Sequence, residues 1–568
     1  MARRQVIIPQ NDFSFGQTRR DGHDRDDVPI VQSGLRSATN TLPTATGSLR
    51  KRPGTIDTGL TTTRAGHSVD LGGGDEYQVI LTNGVITLRD VDDAVVTTHS
   101  GAPWTGDEYL WVVGDPETKA IIVGGPDIQP YALTKGSSWA FGAFAFAPSV
   151  GSGTAQPYYN FSPGVTLSPS GYTGSITVTA SSAVFDASHV GEIIRYVDRE
   201  ISITGFTSST VVTGTVLQEL PPTKTITVTD GSGFLVGQAV EEAVKGGQGI
   251  ITAISTNVLT VVVTKNWDGF AGSNDLIAED TESAIASVSV AASPAAIALW
   301  DEPMMSSYRG YPGSAVKHAG RLVFGQFSSS PDAVAISSAG LINDFELGAN
   351  DGDAIIERIG SDGGDVLHVV SAEDLIILTS KGCYYVETRD GSAITPTSFA
   401  PSRFNRAGCN SVPPAAVDDG LIFVARNGTN VMAAYLAGDQ YRAWTADQVS
   451  QYQEGVVSSP VWLSAPSDDS ERPERYIYIV NADGTAGIMR WERSRQQVIG
   501  WFPWTTDGLF KSIFHAFGAM YCVVDRTVSW RIEKFNADTY VDSDAGSLTG
   551  HHLTSQSVVV WHEGWDYG

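Results

Sequence analysis

The chain has 568 residues, 41% hydrophobic and 18% charged, and its 37 basic against 63 acidic side chains give a formal net charge of −26. Such a length exceeds one hydrophobic core and predicts roughly two to four domains. The acidic balance argues against a protein built to grip nucleic acid, since neutralising phosphates takes clustered Lys and Arg, while an acidic wall suits a passage to which DNA must not stick.

In chain order, residues 1–9 hold Arg3 and Arg4 but no apolar core long enough for a signal peptide, so a start in the cytoplasm is expected. Residues 1–45 mix arginines with aspartates, as in Arg19-Arg20-Asp21, and carry few large apolar residues. Such a segment builds no core of its own and is expected to be an arm that orders against a partner. The arm, placed at 1–60, includes the basic turn Arg50-Lys51-Arg52-Pro53-Gly54. Pro53 fixes φ and Gly54 permits φ > 0, which predicts a sharp reversal, its cations binding carboxylates of this chain or a neighbour and not DNA.

From residue 76 the pattern becomes short apolar runs broken by turns. Runs on both sides of Asn83-Gly84 form the strongest short hairpin signal, and a second pair flanks Asp115-Pro116. Residues 61–160 are therefore read as the first part of a β-propeller. Between Gly136 and Phe185 there is no Asp, Glu, Lys or Arg. The aromatics Trp139, Phe141, Phe144 and Phe146 predict two short strands offset by a bulge, at a domain junction or on a functional surface patch.

Thr- and Val-rich runs such as 175–179 and 225–229 favour pleated strands. They predict two small β-barrel or sandwich modules inserted at 161–295, split near 221 at Pro221-Pro222. The hairpin rhythm then resumes: turn signals at Lys381-Gly382, Asn427-Gly428, Asp483-Gly484 and Asp525-Arg526 recur 46, 56 and 41 residues apart, counted at Gly382, Gly428, Gly484 and Asp525. A four-stranded propeller blade takes about 40–50 residues, so 296–541 is read as the rest of the propeller and 542–568 as a C-terminal β segment. A stack of unrelated β-sandwiches is the competing architecture. The most apolar window, 284–300, is broken by serines and Pro294, so no membrane-spanning segment is expected.

The chemistry-bearing motifs are absent: no GxSxG, HExxH, GxxxxGK[ST] or strand-linked GxGxxG occurs. Gly231-Ser232-Gly233 reads as a turn. Asn350-Asp351-Gly352-Asp353 crowds carboxylates without EF-hand spacing and reads as an acidic turn sooner than a Ca²⁺ loop. His551 and His552 would point to opposite faces of a strand, which disfavours a shared metal. Cys383, Cys409 and Cys522 read as buried thiols. No catalytic, cofactor-binding or metal residues are assigned, and no cofactor is expected. Thirteen tryptophans keep carbohydrate binding open, although Trp462, Trp491, Trp501 and Trp504 sit among apolar neighbours and fit a core better.

One stretch is more specific. Gly310-Tyr311-Pro312-Gly313, then Gly320-Arg321-Leu322-Val323-Phe324-Gly325, Ser330-Pro331, Ser337 and Asn343-Asp344-Phe345, resembles the central signature of the tail nozzle proteins of short-tailed bacteriophages, also called tail tubular or tail stabilisation proteins. The segments 46–55, 139–141 with 157–160, 183–185 with 189–191, 491–493 with 497–501, and 531–535 are similar to further pieces of that family in the same order, so the resemblance spans roughly 46–541. It implies an all-β chain with a β-propeller body, inserted β modules and an extended arm. Arg52, Pro53, Gly54, Gly310, Tyr311, Pro312, Arg321, Leu322, Asp344 and Phe345 would serve as structural motif residues. It further implies a non-enzymatic virion subunit, a homohexameric ring between a portal-proximal adaptor and fibre or spike proteins, with double-stranded DNA in transient, non-specific passage. Relatives continue past the position of Gly564 with another β module, which implies a shorter protein or an incomplete C-terminal segment. The alternative function is a carbohydrate-binding or carbohydrate-degrading propeller.

Overall fold

The computed structural model describes residues 12–18, 33–44, 46–149, 153–389, 393–417, 420–437, 443–453, 455–465, 475–491, 500–539, 541–542, 552–553 and 557–559. Among them the regular structure is β, apart from two 3-10 turns at Ala187–His189 and Ser361–Gly363. Two compact units emerge: Met1–Phe144 with Pro312–Ile342 and Ala349–Gly568, and Ala145–Tyr311 with Asn343–Gly348.

The first unit holds seven four-stranded antiparallel sheets, the blades of a propeller. Blade 1 is His67–Asp70, Glu76–Thr82, Val85–Arg89 and Val95–Ser100; blade 2 is Trp111–Asp115, Ala120–Gly125, Ile128–Lys135 and Trp139–Ala143. Blade 3 is Ser314–His318, Arg321–Gly325, Ala333–Ile336 and Ile355–Arg358; blade 4 is Val366–Ser371, Leu375–Thr379, Cys383–Val386 and Ser402–Asn405. Blade 5 is Ala415–Val417, Gly420–Val424, Val431–Ala437 and Ala443–Gln448; blade 6 is Pro460–Ser464, Arg475–Asn481, Ala486–Trp491 and Trp501–Trp504. Blade 7 joins Leu509–Ala516, Ala519–Asp525 and Trp530–Asn536 to Gly54–Thr62 from the other end of the chain.

Each blade is covered on both faces, which explains why its second strand is buried along most of its length instead of alternating. In Leu375–Thr379, Leu375 and Ile377 pack with Val323 and Val334 of blade 3, whereas Ile376 and Leu378 pack with Leu421 and Phe423 of blade 5. Buried side chains of this size stabilise by about 1.5–3 kcal/mol each. The circle closes where Ile80 of blade 1 meets Phe514, Tyr521, Val523 and Ile532 of blade 7. Radial repetition of this kind shortens and protects sheet edges.

The second unit contains a seven-stranded open sheet, in the order Tyr158–Tyr159, Trp300–Pro303, Ile193–Tyr196, Arg199–Ser208, Val211–Val216, Ser175–Ala180 and Leu167–Pro169. After Pro221-Pro222 comes a closed six-stranded barrel between Thr223 and Val290, filled by Ile226, Phe234, Leu259, Val261 and Leu276. Four expectations need correcting. The inserted unit runs from 145 to 311, not 161 to 295, because Trp300–Pro303 returns to pair with Ile193–Tyr196 and Tyr158–Tyr159. The first inserted module is an open sheet. The stretch 54–62, assigned to the arm, is a blade strand. Around Trp139 there is one strand, ending at Ala143, and Phe144 and Phe146 lie outside strands.

Candidate functional site

The described residues hold no group of three or more His, Cys, Asp or Glu able to bind a metal ion. What stands out are buried charged side chains that fasten backbone, and several belong to the motif singled out above.

Arg52 is fully buried. Its guanidinium donates to Asn40 Oδ1 at 3.1 Å, Pro53 O at 2.8 Å, Thr505 O at 2.9 Å and Asp542 Oδ2 at 2.5 Å. It thus ties the strand entering blade 7 to the ends of blades 6 and 7. A carboxylate does receive this cation, as expected for the turn, but Gly54 has no positive φ. It starts a strand opposite Asn536 instead of making a sharp reversal.

In the central motif, Gly310 takes φ 83° and closes a tight loop on Ser306. Tyr311 is partly buried, and the Pro312 carbonyl accepts from Trp111 Nε1 at 2.9 Å. Arg321, at the head of the second strand of blade 3, is buried and donates to four carbonyls, of Ser337, Asp353, Asp351 and Ile394, at 2.8–3.0 Å. The acidic turn 350–353 therefore does present carbonyls to a cation, and that cation is Arg321. Burial lowers its pKa. Leu322 is buried, and its N–H donates to Ser337 Oγ at 2.9 Å. Asp344 Oδ1 accepts from the Glu346 N–H, while Phe345 is buried against Phe146 and donates its N–H to Ala155 O at 2.8 Å.

The second unit carries two charged clusters with no local sequence signal. Arg195 forks onto Glu346 at 3.0 and 2.8 Å and lies 3.9 Å over the Tyr158 ring. Glu302, also buried, accepts from Arg309 at 3.0 and 2.5 Å and from His189 Nε2 at 3.3 Å. His189 Nδ1 accepts the Asp186 N–H, which leaves Nε2 as the ring nitrogen that faces Glu302. Burial works to raise the Glu302 carboxyl, and the His189 and Arg309 bonds outweigh it, leaving the group below its ordinary value. The next residue differs: burial first, then the Asp198 charge, push Asp301 up to about 6. Replacing Asp198→Asn is expected to lower the Asp301 pKa while burial keeps it above 3.8. A carboxyl ¹³C titration reads this shift, and an unmoved midpoint would break the assigned coupling. None of these carboxylates stands beside an activated nucleophile; each neutralises a cation or is held by its burial.

Among the tryptophans that kept sugar binding open, Trp462 and Trp491 are 9% exposed, Trp501 1% and Trp504 0%, so they form core and no platform. All three cysteines are buried, and burial raises their pKa. The arginine-rich stretch 19–27, the motif residues 492–499, and His551 lie outside the described residues, as does the side chain of His552.

No family model matches the chain, and no curated protein does. Among solved structures it is similar to U3-55K, at 6% identity over 84% of this chain and 96% of that one, with a TM-score of 0.35. RRP9 WD40 repeats follow at 7% identity, 85% and 98% coverage and 0.35. An auxiliary nutrient binding protein from Bacteroides thetaiotaomicron VPI-5482 gives 8%, 66%, 99% and 0.25 on the same measures. Likeness at this level carries no functional information.

Proposed function

We propose that the protein is a non-enzymatic subunit of a bacteriophage tail nozzle, six copies of which form a ring in the virion that conducts DNA outward. In this reading one side meets the portal-proximal adaptor and the other meets fibre or spike proteins. The observation that carries it is the work done by the motif residues. Arg52, Pro312, Arg321 and Phe345 each fasten backbone to a segment distant in sequence, and Leu322 is held to Ser337 within its own blade. Rigid joints are what a conduit wall needs. The burial of Trp462, Trp491, Trp501 and Trp504 removes these four side chains as a carbohydrate platform.

Charge adds a constraint. Six copies at −26 each carry about 156 excess negative charges, and a wall sharing them repels a sliding polyanion. No measurable affinity for duplex DNA is expected at moderate salt. A salt titration of duplex binding tests this: even six to ten phosphate contacts would give binding that falls by about 10³–10⁵ between 50 and 200 mM salt. Tight binding with that slope would mean that the protein holds DNA.

A further inference from the structure

The outer strands of the blades are not equally protected. Those of blades 3, 4, 5 and 7 carry Glu357 and Arg358, Arg403, Asp447 and Asp57, and charge on an edge strand discourages pairing with another chain. Blade 6 is covered: Gly16 bridges Trp501, and the Gln17 N–H donates to Trp501 O at 2.9 Å. Blade 2 also lacks charge, but its Trp139 and Phe141 pack on the blade 1–blade 2 core.

Blade 1 differs. Val95–Ser100 has no Asp, Glu, Lys or Arg, and Val95, Val96 and the nearby Val91 are 58%, 37% and 65% exposed. A bulge at Val96 leaves Thr97–Ser100 as a regular edge. The turn that leads into the strand is acidic, with Asp90, Asp92 and Asp93, of which Asp93 faces Arg89. An extended segment added here needs β-branched side chains and a cationic neighbour.

The chain contains one such run near its start, Arg3-Arg4-Gln5-Val6-Ile7-Ile8. Reach decides which copy supplies it. Ile8 is four residues from Asp12, about 14 Å at full extension, and the chain beside Asp12 is held next to blade 6, where the Phe13 N–H donates to Gly47 O and Arg490 of that blade donates to Thr44 O of the same turn. Blade 1 is two blades further round, and packed sheets are about 10 Å apart, so the gap is at least about 20 Å. We propose that the outer edge of blade 1 is a docking strand for residues 3–8 of a second copy of this chain. The proposal rests on the reading that copies assemble.

The native cysteines are buried, so introduced ones can report. Full-length V6C and V95C chains, mixed under mild oxidation, are expected to give a V6C–V95C disulfide-linked dimer, identified by its cross-linked peptide. R4E should reduce the yield about fivefold, D92K should restore it in the R4E pairing, and salt should weaken it by screening. Cross-links confined to a diluted V6C/V95C double variant would show docking within one chain and overturn the proposal. So would rings of normal size with no V6C–V95C product, which would leave the nozzle reading intact. Cross-linked pairs that never close into rings would uphold the docking strand and count against the nozzle.

Discussion

Acidification from pH 7 to about 4.5 is expected to destabilise the propeller unit by several kcal/mol. His67, His368 and His515 all lie on the first strands of their blades, and burial lowers each pKa from 6.5 to about 4. His368 donates from Nε2 to Asn410 O at 3.0 Å, and the rings of His67 and His515 pack on Trp462 and Tyr478. These histidines are neutral in the folded state. Below 6.5 the unfolded chain takes up their protons first, so stability present at neutral pH is lost as pH falls, and the loss is complete near pH 4. Each shift of about 2.5 pH units is worth about 3 kcal/mol. Asp301 in the second unit has the opposite sign. Its raised pKa lets the folded state bind a proton between pH 6 and 3.8, which favours folding there. Hydrogen exchange at pH 7 and 4.5, corrected for intrinsic rates, should show protection falling in the seven blades and falling less around 193–203 and 300–303. Equal loss in both regions would contradict the assignment of neutral histidines.

Replacing Arg52→Met is expected to cost about 3–5 kcal/mol, the usual penalty for leaving a buried charge without its partner. The orphan is Asp542, whose side chain is 3% exposed and whose other remaining side-chain partner is Thr506 Oγ1 at 3.0 Å. The Thr505 carbonyl and Asn40 also lose a donor. Arg52→Lys keeps the charge but not the fork that reaches several acceptors at once, so it should recover only part of the loss. The double variant R52M/D542N removes the stranded charge and should be more stable than R52M alone. Urea unfolding followed by tryptophan fluorescence measures all three. An R52M midpoint equal to that of the parent would mean that blade 7 closes without this joint.

The parts legible in the sequence were those fixed by local rules. Asn83-Gly84, Lys381-Gly382, Asn427-Gly428 and Asp483-Gly484 fall between the second and third strands of their blades, and Asp525-Arg526 ends the second strand of blade 7 and begins the same turn, so the spacing of turn signals measured the blade repeat. Pro221-Pro222 separates the open sheet from the barrel because proline ends pairing on both sides. Long-range pairings left no such trace. Thr55 and Glu533, hydrogen-bonded in blade 7, are 478 residues apart, and the Arg195–Glu346 contact spans 151 residues. Trp300–Pro303 looked like propeller because its composition does not record which sheet it joins. For the same reason the motif could be noticed at Arg321 and Phe345, while the partners that give these residues their roles became visible only in the fold.

The nozzle reading is tested most directly by imaging the purified full-length chain, alone and after mild concentration, by single-particle electron microscopy. The account predicts closed six-copy rings with an open lumen and a seven-bladed body in each subunit. Monodisperse single copies under every condition, or closed particles without a lumen, would contradict it.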